Sequence, residues 1–467
     1  MEERPQSRAS DTLPSTPLNP SEKAKNNDSV LPLHNGKSNS FFRIQAAGES
    51  GRSGVHPVHF LKVCMKSTTP LSMIVNVLWP FVPAAIVIHF ARPDLHIWTF
   101  ALNYIAMVPT ANLLGFAGGE LARKLPKVWG ILVETTLSSV VELVLLMVLI
   151  SNDEHNNLIP VIHAAILGSI LANLLLCLGL CFFLGGLRRE EQQFHSVISE
   201  TGSGLLLVAG FALLIPSAFF SALSGSTTEA GPFTDAVLLQ STHTISRGTA
   251  VILLCAFIMF LFFNLRSHHS IYDEVLELDE EKDEDRADEI TRSKLTMTEC
   301  LIAVAVALTC VSMSAVFLVE EIPAIVEKGV PDNFMGLILV PLVEKAAEHL
   351  VAIDEAWDNQ INFALFHCLG PSIQTALFNA PLVVLVGWGL GKNMDLNFEI
   401  FMIVMVLLSI LVVGNFLRDG RSNYLEGGLL VMVYMIIAVT SWYYPNPHDG
   451  TTNVQLPPSE HGGGGHH

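Results

Sequence analysis

The stretch Val343-Glu344-Lys345-Ala346-Ala347-Glu348-His349-Leu350 sets four ionisable side chains inside a run, Phe334–Ile353, that is otherwise apolar. Twenty residues of helix rise about 30 Å, the thickness of a bilayer's hydrocarbon core. Ionisable groups at that depth are expensive and persist where they are paired or functional. A second run, Val128–Ile150, holds Glu142 between Val140-Val141 and Leu143-Val144. The contexts match. Gly168-Ser169-Ile170-Leu171-Ala172-Asn173 follows Glu142, and Gly370-Pro371-Ser372-Ile373-Gln374 follows Glu348. Each carboxylate thus precedes a Gly/Ser pair and an amide, with 26 positions from Glu142 to Gly168 and 22 from Glu348 to Gly370.

Outward from these two runs, eleven segments are long enough to span: Leu71–Phe90, Leu95–Phe116, Val128–Ile150, Leu158–Leu184, Gly204–Leu223, Gly248–Leu265, Cys300–Val319, Phe334–Ile353, Ile361–Leu390, Phe398–Phe416 and Leu425–Trp442. They lack period-2 alternation, so they are expected to be helices. Glu142 and Glu348 fall in the third and eighth spans. Five steps between matching spans give opposite orientations, the pattern of inverted repeats in alternating-access transporters.

Composition agrees. Of 467 residues half are hydrophobic and 15% charged, against about 25% charged in soluble domains; mean hydropathy is +0.46. The net charge of −18 excludes nucleic acid as a natural partner and suits cations. The seven cysteines (Cys64, Cys177, Cys181, Cys255, Cys300, Cys310, Cys368) lie mostly in apolar runs. Cys177 and Cys181, one helical turn apart among leucines, read as packing rather than as a metal site or disulfide. Residues 1–69, rich in Ser, Pro and Asn, are expected to be disordered. Met1 to Lys37 shows no secretory h-region, and Glu2, Glu3 and Asp11 are unlike a mitochondrial leader, so the first span is expected to act as the targeting signal. The His461–His467 tail carries no weight in this reading.

Lys and Arg set the expected orientation. With a cytosolic N-terminus, cytosolic loops hold Arg123, Lys124, Lys127, Arg188, Arg189, Arg266, Lys282, Arg286, Arg292, Lys294, Arg418 and Arg421; lumenal loops hold only Arg92, Lys328 and Lys392. Between the sixth and seventh spans Asp273, Glu274, Glu277, Asp279, Glu280, Glu281, Asp283, Glu284, Asp285, Asp288 and Glu289 form an acidic segment. It is either a solvated linker or a regulatory element that concentrates cations.

Carboxylate, hydroxyl and amide oxygens suit a hard cation such as Ca²⁺, and the same carboxylates bind protons. Mutually exclusive occupancy gives antiport. The candidate cation and proton ligands are Glu142, Glu348, His349, Ser139, Ser169, Asn173, Ser372 and Gln374, with Glu142 and Glu348 as metal-binding acids. Asp354 and Glu355 either extend a cation path or are a solvated helix end. His163 and His367 either relay protons or pack. An enzyme is not expected: Ser138 or Ser139 with His349 makes no oriented triad, and no Gly-rich phosphate loop occurs. No cofactor is expected beyond the transported cation and protons, and the partners are the lipid bilayer and those ions, with the oligomeric state left open.

From Leu71 to Pro445 the chain resembles the cation/proton exchangers of the calcium/cation antiporter superfamily, the fungal vacuolar calcium/proton exchanger type especially. The resemblance rests on Leu102-Asn103-Tyr104 with Pro109, Glu120-Leu121-Ala122, Leu167-Gly168-Ser169, Asn173-Leu174-Leu175-Leu176, Ser246-Arg247-Gly248-Thr249, Ser267-His268-His269, Ala346-Ala347-Glu348-His349, Val384-Leu385-Val386-Gly387-Trp388 and Asp419-Gly420-Arg421-Ser422-Asn423-Tyr424-Leu425-Glu426-Gly427. It implies an all-α polytopic membrane protein. A cytosolic tail (1–69) and a separate first helix (70–91) would precede a five-helix repeat (92–265). An acidic cytosolic segment (266–298), an inverted five-helix repeat (299–445) and a lumenal tail (446–467) would follow. It further implies a vacuolar membrane, calcium/proton exchange, and Glu142 and Glu348 as the exchange acids with His349 beside the second.

The chain departs from the family where both repeats carry Gly-Asn-Ala-x-Glu. Those positions read Ser138-Ser139-Val140-Val141-Glu142 and Glu344-Lys345-Ala346-Ala347-Glu348. Ser139 retains a hydroxyl oxygen; a charged Lys345 cannot ligate a cation. An ammonium about 5 Å from a divalent ion repels it by roughly 6–7 kcal/mol at an effective dielectric of about 20. Either Lys345 is neutral, or Glu344 and Glu134 compensate it, or it forms an ion pair with Glu142 or Glu348. The alternatives to calcium exchange are transport of another, monovalent cation and a non-transporting regulatory homologue whose cation site Lys345 fills.

Overall fold

In hydrocarbon every backbone N–H and C=O must be satisfied within the chain, which a helix does locally. The computed structural model describes residues 50–445 apart from 53, 68, 126, 154–157, 227–233, 269–274, 276, 277, 280, 281 and 283–291. These residues are almost entirely helical. The helices are α1 (Pro57–Lys66), α2 (Ser72–Ala91), α3 (His96–Ala122), α4 (Lys127–Asn152), α5 (Ile159–Arg188), α6 (Ser196–Leu223), α7 (Asp235–Phe262), α8 (Met297–Val326), α9 (332–344), α10 (Ala346–Trp357), α11 (Ile361–Gly389), α12 (Ile400–Asp419) and α13 (Tyr424–Tyr443). Among the described residues nine of them, α2, α3, α5 to α8 and α11 to α13, are long and apolar enough to cross a membrane. The other two expected spans are occupied by α4, apolar over Ser139–Asn152, and by α9 and α10, which meet at Lys345. These two helical runs carry Glu142, Glu344, Lys345 and Glu348.

The packing is reciprocal. α3 lies against α8 and α6 against α12. α4 packs on α11 while α9 and α10 pack on α5; α7 packs on α11 while α13 packs on α5. The outer surfaces of α6, α7 and α13 expose Val208, Phe211, Ile215, Ile252, Met259, Phe262, Met432, Ile436 and Val439. An apolar belt of this kind faces lipid, not water. The chain is an all-α polytopic membrane protein.

Two glycines permit the central crossing. A Cβ on Gly168 of α5 would overlap the Leu337 carbonyl of α9, and a Cβ on Gly336 of α9 would lie 2.6 Å from the Val161 carbonyl of α5. Backbone therefore touches backbone, as small residues allow between membrane helices. The crossing carries a widened, π-type turn in α5 at Ala172–Cys177 and in α9 at Met335–Leu339; α11 has one at Thr375–Asn379. Such turns recur at functional sites.

The ends are tied by polar contacts. A short antiparallel pair, β1 (Gln192–Gln193) with β2 (Arg421–Ser422), joins the segment after α5 to the segment after α12. Thr296 and Glu299 form a capping box on α8, and Glu299 also accepts the His56 N–H at 3.0 Å. Asp279 corrects the reading of the acidic segment as uniformly solvated. It is fully buried, and its carboxylate accepts the Asn362 backbone N–H at 2.7 Å and side-chain N–H at 3.0 Å. It satisfies an orphan donor in the first turn of α11. Val275 is buried as well. The other ten acids, Asp273, Glu274, Glu277, Glu280, Glu281, Asp283, Glu284, Asp285, Asp288 and Glu289, lie outside the described residues.

Gly168→Ala is expected to lower the thermal stability of the purified protein by about 1–3 kcal/mol or more, because overpacking here meets backbone that cannot step aside. Gly204→Ala, in the interior of α6 with open space around it, is the control and should leave the melting temperature unchanged or raise it slightly.

Candidate functional site: a buried ion cluster at the helix crossing

Four helical runs converge on Lys345. Its ammonium Nζ lies 2.9 Å from Glu142 Oε2 of α4 and 3.7 Å from Glu348 Oε2 one turn along α10. The first distance is a charge-assisted hydrogen bond; the second is an ionic contact too long for one. Lys345 and Glu142 are each 2% exposed, whereas Glu348 is 21% exposed. Thr375 of α11 donates its hydroxyl to Glu142, 2.9 Å from both carboxylate oxygens. Ser169 of α5 donates to Glu344 Oε1 at 3.1 Å. His349 Nε2–H donates to the Asn173 amide oxygen at 3.0 Å.

Local backbone chemistry supports this arrangement. Lys345 caps the C-terminal end of α9, where the helix dipole is negative, and Glu348 sits in the first turn of α10, where it is positive. Glu142 is held by an ammonium and a hydroxyl. Glu348 Oε2 is buried and accepts no hydrogen bond. One acid is thus held by an ammonium and a hydroxyl, while the other, more exposed as a side chain, keeps its buried Oε2 beside Lys345 without a hydrogen bond.

The contact expected of Lys345 with a carboxylate is present with both acids. Of the other candidates, the structure gathers Ser169, Asn173, His349 and Glu344 around the cluster. Ser139 instead donates to the Thr136 carbonyl at 3.1 Å and Ser372 to the Cys368 carbonyl at 2.9 Å, each satisfying its own helix. Gln374 is buried. The side chains of Glu134 and Ser138 lie outside the described residues. His163 bonds the Asp395 carbonyl at 2.9 Å, and His367 pairs with Glu355 at 2.7 Å. Thr375 and Asn379 were not singled out from sequence. Asn379 is fully buried one turn beyond Thr375, with neither side-chain polar atom hydrogen-bonded. The signal was a lone amide in the apolar stretch Leu377-Phe378-Asn379-Ala380-Pro381.

Breaking a buried ion pair on one side costs about 3–5 kcal/mol, because it leaves the other charge unpaired. Lys345→Met is therefore expected to destabilise the protein by that amount in calcium-free buffer. Glu142→Gln with Lys345→Met should recover most of the loss in a thermal-unfolding double-mutant cycle. Additive losses would mean that the two side chains do not act as a pair.

Residues 95–266 and 300–443, well over half the chain, match the family model described as sodium/calcium exchanger protein. Vacuolar cation/proton exchanger 2 of Arabidopsis thaliana is 34% identical over 378 residues, covering 80% of this chain and 82% of that one. The vacuolar calcium ion transporter of Schizosaccharomyces pombe is 31% identical over 384 residues, covering 82% and 88%. Among solved structures, native YfkE superposes with a TM-score of 0.62 at 25% identity, over 79% of this chain and all of that one. With the family model and relatives matching across both halves of the helical core, the chain belongs to the sodium/calcium exchanger protein family.

Proposed function

We propose that the chain is a secondary active antiporter that exchanges a cation, calcium foremost, for protons across the vacuolar membrane. The observation that carries this reading is the buried cluster itself. Glu142, Glu344 and Glu348 with Lys345 have a formal charge of −2 when all are ionised. That charge is neutralised equally by one divalent cation or by two protons. Lys345 consequently does not exclude calcium, because Glu344 offsets it from the adjacent position. The calcium assignment draws further support from the Schizosaccharomyces pombe relative, a vacuolar calcium ion transporter, and proton coupling from the Arabidopsis relative, a vacuolar cation/proton exchanger.

In the cycle, protons from an acidic lumen neutralise the carboxylates, and the neutral site turns to the cytosol. Protons leave, the cation binds Glu348 and its neighbouring oxygens, and the loaded site turns back. Glu142 and Glu348 are the exchange acids. Lys345 and Thr375 hold Glu142, Ser169 holds Glu344, and Asn173 and His349 bond each other beside the cluster. The Lys and Arg asymmetry supports a cytosolic N-terminus and a lumenal C-terminus. The work is carriage, not bond-making, and no enzymatic step is assigned.

A second reading, monovalent cation/proton exchange, is favoured by the 2.9 Å contact of Lys345 with Glu142. The ammonium already fills one carboxylate, and it repels a monovalent ion half as strongly as a divalent one.

Reconstituted vesicles with an acidic interior separate the readings when tested with calcium, manganese, sodium and potassium. Wild-type protein should take up calcium with proton efflux. Glu348→Gln and Glu142→Gln should each lower that flux at least a hundredfold, to background. Full flux in either variant rules out the two-carboxylate mechanism. Sodium or potassium exchange without calcium exchange selects the second reading.

A further inference from the structure

Ser169, Asn173, Cys177 and Cys181 recur every four residues along α5, and the wide turn at Ala172–Cys177 lets this spacing stay on one face. The first two touch the ion cluster. The last two meet Cys368 of α11. The three sulfurs all lie within 4.8 Å of one another, and Cys177 Sγ is 3.4 Å from Cys368 Sγ. All three cysteines are fully buried and none forms a disulfide. Cys181 lies seven residues from the Arg188 end of α5, and Cys368 seven residues from the Ile361 start of α11. Both positions are about 10 Å of helix inside the same end of the protein. The trio therefore stands between that end and the ion cluster.

We propose that Cys177, Cys181 and Cys368 bind one soft d¹⁰ metal ion, which staples α5 to α11. Three sulfurs at about 2.3 Å from a metal in a trigonal plane stand about 4.0 Å apart, within reach of the spacing here by small side-chain rotations. Sulfur selects soft ions and rejects hard ones such as calcium, so this site is chemically distinct from the carboxylate cluster one turn away. As a divalent ion binds, two thiols form metal–sulfur bonds and release their two protons to the buffer, while the third sulfur coordinates as a neutral thiol. The loaded site is then neutral, as a buried site requires. Two of the ligands lie on α5 and one on α11, so a bound ion fixes the distance between these helices. On the alternating-access reading above, that fixed distance arrests exchange; the binding itself does not depend on that reading.

Cadmium is the probe. Purified full-length protein in calcium-free detergent is titrated with Cd²⁺, and the ultraviolet thiolate-to-cadmium charge-transfer band is followed. One equivalent should saturate the band. Cys177→Ser, Cys181→Ser and Cys368→Ser should each weaken binding at least tenfold. Cys255→Ser, at an exposed position, should leave it unchanged. X-ray absorption of the wild-type cadmium complex needs no variant to fold and should show three sulfur neighbours. Oxygen-only coordination, or a band that survives the three substitutions, overturns the site. In vesicles Cd²⁺ should block wild-type calcium flux and spare Cys368→Ser. Cadmium bound by the trio without inhibition overturns the staple. Absence of calcium flux in cadmium-free wild type counts against the transport reading and leaves the binding result standing.

Discussion

An ammonium buried 2.9 Å from a carboxylate is the constraint on which the rest of the site depends. At an effective dielectric of about 20 the gross attraction is roughly 6 kcal/mol, much of it offset by the loss of hydration of both ions. Such a pair persists only where its remaining hydrogen-bonding capacity is met. Thr375 meets it for Glu142, and Glu348 supplies a second negative charge for Lys345. Three helices with separate places in the sequence must therefore stay in register for one charge to stay buried.

The helix crossing provides that register. Gly168 and Gly336 bring the backbones of α5 and α9 into contact, which sets Ser169 against Glu344. Glu344, Lys345 and Glu348 then project from the junction of α9 and α10 toward α4 and α5. The two acids are therefore held unequally. Glu142 is closed off by Lys345 and Thr375, while Glu348 is more accessible and keeps an unbonded oxygen. In a relative with an uncharged residue at position 345 both acids would be free for the transported ion; here one is held by a tethered cation. Glu344 returns the lost negative charge, so the departure at two adjacent positions is compensated in charge while the geometry of the site changes.

The all-helical membrane fold was legible because apolar runs of bilayer length have one structural solution. The pairing of Lys345 was legible because an ammonium in such a run must find an acid. Which acid it prefers was not, since Glu142 reaches it from 203 positions away in sequence. Ser139 and Ser372 looked like ligands, but a hydroxyl in a helix can bond its own preceding turn, as both do. Thr375 was missed for the converse reason: its hydroxyl turns to Glu142 only because α11 packs on α4. Asp279 looked like one acid among eleven, and only the position of the α11 N-terminus makes it a cap. Cys368 lay far in sequence from Cys177 and Cys181, so a thiol pair became a trio only in three dimensions.

The central claim is that Lys345 and Glu344 set the charge of a cation site in opposite directions. Its most direct test is the half-saturating calcium concentration for proton-coupled uptake in vesicles. Lys345→Met removes a positive charge and should lower that concentration at least tenfold. Glu344→Gln removes a negative charge and should raise it at least tenfold. Glu344→Gln with Lys345→Met should return close to wild type. Shifts in the same direction for the two single variants, or no shift in either, would contradict the account.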